Sequence, residues 1–549
     1  MTLTRRHFLG GLGPATLGPL LGCGGADADT THVTPALGWQ AEEGSESRPA
    51  WPTPAAARPP FLHGVASGDP LADGVVLWTR VTPPSDAPPA IDVEWRIALD
   101  PEHRELVQQG HARAEATDDY TLHVDVRGLS SGTTYYYQFR ALGQPSARGR
   151  TKTLPAGDVA RARLAVTSCA NYPAGFFNAY AQLAHTDLDL VLHLGDYLYE
   201  YANGTFGDGT PIGRAPDPPG EIVALDDYRR RHAQYKTDPD LQELHRQHPW
   251  VVIWDDHEIA DNAYRDGAFN HQTSSEGDYA TRRESAVRAY REWMPLRAAL
   301  EPDQIYRSFS CGSLLDLLLL DTRIIGRDAQ VNDCDVQGLA SSDRQLLGAA
   351  QEAWLSASLE ASQARGVRWR FIGQQVLFAP LARSARGCVS SSDEWDGYAA
   401  SRERLFDALD RGGIDNVVVL TGDAHSAWGI DVPRDPFEPA TYDRASGRGS
   451  RLVEFVTPAV SSPPAAVAAV ESILRAHPHV KFTNQTRNGY AVIDVTPERT
   501  RAEWYFLSSV RERSLEVELG AALEVRAGEP HLIASDEPLA PRAGLPAPA

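Results

Sequence analysis

Side chains able to hold metal ions or move protons recur where apolar runs of this chain end. Cys169 follows "RLAVTS", Asp196 and Tyr199 follow "DLVLHLG", and Asp255, Asp256 and His257 follow "WVVIW". Gln374 and Gln375 follow "RFIG", and Asp423 and His425 follow "VVVLTG". Each has an ordinary reading when taken alone. Asp196 suits a helix N-cap, Tyr199 an interface aromatic, Cys169 a buried inert thiol and His425 a structural histidine beside a strand end. Asp423 and His425 stand two apart, which on extended backbone turns both to one side.

Together the set fits a two-cation site. Asp196 would bridge the ions, and Tyr199, Cys169 and His425 would offer phenolate, thiolate and imidazole to an ion such as Fe(III). Asp256, Asp423 and either Gln375 or a water would surround a neighbouring Ca, Mg or Mn ion with oxygen. Two cations about 3.5 to 4 Å apart can hold a hydroxide and stabilise the entering and leaving oxygens of an in-line displacement. Phosphoryl transfer is the reaction class that such a pair serves best.

In layered α/β domains ligands bind at the carboxyl ends of strands, so these runs are expected to be neighbouring strands. "RLAVTSC", "DLVLHLGD", "WVVIWDD", "LLDLLLLDTR", "WRFIGQQVLF" and "NVVVLTGDAH" alternate with helical stretches such as "NAYAQLAH" and "RESAVRAYREWM", which predicts an α/β layered domain over 155–535. Residues 61–154 carry short β-branched or alternating runs between turn residues and predict an N-terminal all-β sandwich. That region holds no cluster of His, Asp or Cys and reads as a scaffold or lid. Residues 31–60, rich in Ala, Pro, Gly and Ser, read as a flexible linker, and 536–549 as a loose tail.

The chain has 549 residues, 42% of them hydrophobic and 23% charged, as in a globular protein of more than one core. A formal net charge of -21 argues against non-specific binding to nucleic acid or anionic lipid. An acidic protein that handles phosphate therefore needs a local positive centre, which a metal supplies. Within 1–30, Arg5 and Arg6 precede a short Gly/Ala/Leu run that resembles a twin-arginine export signal, and Leu20-Leu21-Gly22-Cys23 resembles a lipoprotein box that would anchor the chain through Cys23. Cys334 and Cys388 lie in loop-like stretches where an oxidising compartment makes a disulfide plausible, and Cys311 reads as a core residue.

"SCANYP", "LHLGDYLYE", "WDDHEIADN", "LDTR" and "TGDAHSAW" resemble the signature blocks of the PhoD-type alkaline phosphatase/phosphodiesterase family, a branch of the calcineurin-like metallophosphatases. "FLHGVASGDPLADGVVLWTRV" resembles the opening of that family's N-terminal β domain, so the similarity spans about Phe61 to Leu507. The resemblance implies a sandwich of two mixed sheets flanked by helices, and an exported phosphate monoesterase or diesterase working at alkaline pH with a metal-bound hydroxide. It implies Asp196 as the bridging ligand, Tyr199, Cys169 and His425 on Fe3+, and Asp256 and Asp423 on the second ion, where oxygen donors agree with Ca2+. His257 matches the histidine that contacts the phosphate and protonates the leaving oxygen. Arg323 is read either as a bidentate phosphate clamp or as the partner of an internal carboxylate, and Asn171 and Asn262 are further polar candidates. Two rival readings stand beside this one: a phospholipase D-type esterase on the same fold, and a non-catalytic surface protein that holds a structural metal.

Overall fold

The computed structural model describes residues 58–535, other than 87, 298–300, 302, 382 and 465–469, together with 539, 542 and 547–549. The export-signal and lipobox readings, Cys23 included, and most of the linker lie outside the described residues. No helix among the described residues is long and apolar enough to cross a membrane.

Two large mixed sheets carry the α/β part. In the first, Ala162–Thr167, Leu190–Leu194, Pro249–Ile253 and Val65–Gly68 run parallel side by side. Antiparallel strands Gly489–Val495, Arg499–Leu507, Val517–Arg526 and Glu529–Ala534 extend one side, and Gly74–Arg80 and Thr121–Arg127 the other. The second sheet centres on Leu315–Leu319, Trp369–Gln374, Val417–Thr421 and Ser450–Val456, again parallel. The period-two alternation of a strand divides its residues between two cores. Leu317, Leu319, Phe371, Val418, Leu420 and Phe455 join Leu164, Val166, Leu192 and Leu194 of the first sheet. Leu318, Leu320, Ile372 and Val419 turn instead towards Leu355 and Leu359 of the helix Gly348–Ala364 and Leu405 and Phe406 of the helix Ala399–Arg411. On the opposite face of the first sheet, His193 reaches Tyr180 of the helix Asn178–Leu183, Nε2 lying 2.9 Å from the hydroxyl. The result is a helix-flanked pair of sheets, in which Ala162–Thr167, Leu190–Leu194 and Pro249–Ile253 end on one rim, while Val65–Gly68 ends beside the start of Pro249–Ile253.

The N-terminal region differs from the self-contained sandwich expected over 61–154. One layer is a separate sheet built on Leu106–Glu115, Ala90–Ala98 and Thr134–Ala141, but the facing layer is the end of the first large sheet itself. Val65, Val75, Leu77, Val93, Tyr137 and Phe139 close the core between them. The reason is visible in "GVVLWTR": positions 74–79 are all buried, with Trp78 turned away from that core to meet Trp293 (ring centroids 6.0 Å). A continuous apolar run is the pattern of a strand covered on both sides rather than of a half-solvated sandwich strand. The described tail residues are also held rather than loose. Arg542 pairs with Asp187 and Asp189, and the Tyr136 hydroxyl donates to the Ala547 carbonyl at 2.6 Å.

Gly195 joins the fold to the site. Its φ is +99°, and a Cβ there would lie 2.3 Å from Asp255 Cβ and 2.6 Å from Asp255 N. Both the left-handed backbone and the close approach exclude a side chain. Gly195→Ala is expected to destabilise the protein by about 2–4 kcal/mol, read as a lowered urea midpoint. An unchanged midpoint would mean that the two strand ends can part without cost.

Candidate active site

The site forms where parallel strands of both sheets end. Cys169 follows Ala162–Thr167, Asp196 follows Leu190–Leu194, Asp255 and Asp256 follow Pro249–Ile253, Arg323 follows Leu315–Leu319, and Asp423 follows Val417–Thr421. Four of the expected donors sit in left-handed backbone, with φ of 61° at Cys169, 57° at Asp196, 53° at Asp423 and 51° at His425. Such conformations are sparsely populated by non-glycine residues and cost of order 1–3 kcal/mol each. Their concentration in one place indicates that the surrounding sheets impose the geometry.

Cys169, Asp196 and His425 bring one donor atom each within 4.8 Å of one another, as do Asp196, Asp256 and His257, and Asp196, Asp255, Asp256 and Asp423. Asp196 belongs to all three groups, so it occupies the shared position. Tyr199 completes the first group: its hydroxyl donates to Asp196 Oδ2 at 2.8 Å, lies 3.1 Å from His425 Nε2 and accepts from Ser462 Oγ at 2.7 Å. His425 Nδ1 faces the Pro463 carbonyl at 3.0 Å, a contact that turns Nε2 inward and fixes the ring.

The electrostatics of this arrangement call for cations. Burial pushes the Asp255 carboxyl well above its ordinary range, and Asp256, Asp196 and Asp423 add repulsion against the pull of Arg323. Burial, with Asp196 beside it, lifts Glu258 to about 8, and burial followed by Asp196 and Asp423 lifts the Cys169 thiol. Asp255 Oδ2 is buried without a hydrogen-bond partner among the described residues. Crowded, desolvated carboxylates are costly unless positive charge joins them. A sulfur, a phenol, an imidazole and several carboxylate oxygens form a donor set suited to one borderline and one hard ion, so the residues fit a metal pair.

Three sequence expectations change at this point. Gln375 is not placed to bind a cation. Its Oε1 accepts from Thr322 N (3.1 Å) and Oγ1 (2.7 Å), while Nε2 donates to the Trp254 and Leu320 carbonyls (2.6 and 3.1 Å), which uses its full hydrogen-bonding capacity. Arg323 is not an open phosphate clamp. It is fully buried, with Nε on Asp255, Nη1 on Asp393 (2.9 Å) and Nη2 near Asp423 (3.2 Å) and Asp256 (3.5 Å), so the reading as a partner of internal carboxylates holds. Asn171 points its amide at backbone: Nδ2 donates to the Phe206 carbonyl (2.7 Å) and Oδ1 accepts from Ala174 N (3.3 Å). It shapes the wall of the site rather than reaching into it. Asn262 is half-buried, and its backbone N–H donates to Asp256 Oδ2 at 2.6 Å.

Two carboxylates escaped sequence reasoning. Glu258 accepts the N–H groups of Asp196 (3.0 Å), Tyr197 (2.6 Å) and Asp255 (2.8 Å), and so ties two strand ends together. Glu200 faces His257 Nδ1 across 2.7 Å and also accepts from Asp261 N and Asn270 Nδ2. Burial alone would raise the Glu200 carboxyl, but His257, Asn270 and Arg282 hold it below the usual range. Both glutamates stand in the quoted blocks, where Glu258 directly follows Asp255, Asp256 and His257 and Glu200 closes a block that holds Asp196, so residue type alone did not separate them from the other acidic residues there. Cys334 and Cys388 form a disulfide, and Cys169 and Cys311 are free and buried.

The profile of the PhoD-like phosphatase family matches residues 164–504, and that of the PhoD-like phosphatase N-terminal domain matches 45–155. Alkaline phosphatase D of Bacillus subtilis (strain 168) is 38% identical over 489 residues, covering 85% of this chain and 80% of that protein. A solved structure described as that of PhoD superposes with a TM-score of 0.80 at 35% identity, over 87% of this chain and 93% of the other.

Proposed function

This chain belongs to the PhoD-like phosphatase family and is a phosphoric ester hydrolase, and from that premise we propose an exported enzyme for phosphate mono- or diesters with an iron and calcium-type centre. The observation that carries the reading is Asp196, common to every donor group, with sulfur, phenol and imidazole on one side and carboxylates on the other. Cys169, Tyr199 and His425 would hold Fe3+, and Asp256 and Asp423 would hold Ca2+, with Mg2+ or Mn2+ as substitutes. When bound, such a pair supplies a nucleophilic hydroxide at alkaline pH and neutralises the non-bridging oxygens of phosphate.

The chain's own residues do the remainder. Glu200 holds His257 through Nδ1, so the other ring nitrogen is the one able to give a proton to the departing oxygen. Arg323 keeps Asp255 and Asp423 in position by ion pairing, and Glu258 fixes the loop that carries Asp196. The two-sheet frame with helices outside supports the metallophosphatase-type architecture. Export by the twin-arginine route is supported by the N-terminal sequence and by a disulfide suited to an oxidising compartment. Lipid attachment at Cys23 belongs to the same proposal. No nucleic-acid partner is proposed, given the charge of -21.

Purified protein should contain iron and calcium by elemental analysis, show a visible phenolate-to-iron band, and hydrolyse a chromogenic phosphodiester. Chelation should lower that rate by a factor on the order of a hundred or more, with recovery on returning the metals. Zinc alone without colour would remove the iron assignment, and a fully metal-loaded protein without activity would remove the hydrolase mechanism. Choline release from phosphatidylcholine, faster than hydrolysis of simple diesters, would favour the phospholipase D-type reading instead.

A further inference from the structure

Phe206 stands beside the site without serving it as a donor. It lies on a loop, "YANGTFGDGTPIG", bent by left-handed glycines at Gly204 (φ 86°), Gly207 (104°) and Gly213 (68°). Two anchors hold the bend: the Asn171 amide donates to the Phe206 carbonyl at 2.7 Å, and Arg511 reaches the Asp208 carbonyl at 3.4 Å. The Phe206 ring is near-parallel to both His257 (centroids 6.4 Å, 13°) and His425 (5.9 Å, 19°), and lies 5.8 Å from Tyr199. Tyr199, His257 and His425 are buried, whereas Phe206 is half-buried. Tyr201 is half-buried too and lies 5.2 Å from His257, but at a steep 58° to it. Phe206 is therefore the half-buried ring that lies near-parallel to both site histidines and offers its face to whatever enters beside His257, where the proposed function puts the departing group. Core packing alone gives no reason to anchor a half-exposed phenyl ring on a glycine-bent loop over two site histidines.

We propose that Phe206 is a specificity-determining residue, an aromatic shelf that favours phosphoric esters whose leaving group is a planar ring, an aryl or nucleobase-bearing group, over small alkyl esters. This rests on the hydrolase reading above. Aromatic pairs attract through offset or edge contacts beyond simple area burial, and base stacking on such rings is tolerant of the ring's identity. Asn171 then acts as a positioning residue that sets the height of the shelf through the Phe206 carbonyl.

The test compares wild type, Phe206→Leu, Phe206→Ala and Phe206→Trp, each as the metal-containing protein. Hydrolysis of phenyl phosphate and glycerol phosphate is followed by phosphate release, and binding of phenylphosphonate and propylphosphonate by calorimetry. The ratio of kcat/KM for phenyl over glyceryl ester should fall about tenfold in the Leu and Ala variants and stay near the wild-type ratio in the Trp variant. The phenyl-to-propyl affinity ratio should fall in parallel. Equal losses on both esters, or an unchanged ratio, would overturn the shelf while leaving the hydrolase intact. Because phosphonates bind without turnover, a wild type that hydrolyses neither ester yet prefers phenylphosphonate through Phe206 would keep the shelf and remove the hydrolase reading.

Discussion

Asp196→Asn is expected to lower kcat/KM for a chromogenic phosphodiester by a factor on the order of a thousand or more, and to remove both cations rather than one. The residue belongs to every donor group of the site, so its replacement would touch both ions of the proposed centre, whereas loss of Cys169, which belongs to one group, would touch one. The fold should survive. Asn keeps the shape, and the backbone N–H still reaches Glu258 at 3.0 Å. In metal-free protein the substitution should even relieve strain, since the Asp196 charge helps to lift Glu258, Asp255 and the Cys169 thiol above their ordinary values.

Unfolded, the Glu258 carboxyl loses its proton at about pH 4.3, while in the folded metal-free protein it keeps it to about 8. Between those values the folded state binds more protons, so stability of the metal-free protein falls as pH rises. Asp196→Asn should flatten that slope, and metal loading should reverse the ranking of the two proteins. Denaturant midpoints measured at pH 5 and pH 8, with and without metal, check this. Loss of a single cation on elemental analysis would show that Asp196 is not shared.

Why the donors but not their supports were legible follows from what each depends on. Cys169, Asp196, Asp256 and Asp423 each end an apolar run, and a strand end is a local property of sequence. Parallel strands place their ends on one rim, so convergence followed from the pattern alone. The partners of Arg323 are not local: Asp393 lies 70 positions away and Asp255 68, and no spacing rule links them. Gln375 illustrates the opposite failure, because its position after a strand matched that of a ligand while Thr322 and Trp254 decided where its amide went. The N-terminal layers were readable as strands, but not as a continuation of the main sheet. That depends on the pairing of Ser67 with Pro249 and Gly68 with Trp250, a contact between segments far apart in the chain. Left-handed backbone at Cys169, Asp196, Asp423 and His425 had only a weak signal in residue type, since Asp and His are enriched there among non-glycine residues but most Asp and His residues lie elsewhere.

His257→Asn is expected to act according to the leaving group, which separates proton donation from simple binding. For an alkyl ester, whose departing oxygen must be protonated, kcat should fall by about a hundred- to ten-thousandfold, the usual range for a positioned general acid. For a nitrophenyl ester, whose leaving oxygen is stable as the anion, the loss should be roughly tenfold. Glu200→Gln keeps an acceptor 2.7 Å from Nδ1 but removes the charge, so it should show the same leaving-group signature at reduced size. The double variant should be little worse than His257→Asn alone, because Glu200 would then have no imidazole to orient. This pattern runs opposite to that of Phe206, whose loss should hurt aryl esters most. Equal losses of His257→Asn on both ester types, together with loss of metal, would instead make His257 a ligand, consistent with its place beside Asp196 and Asp256.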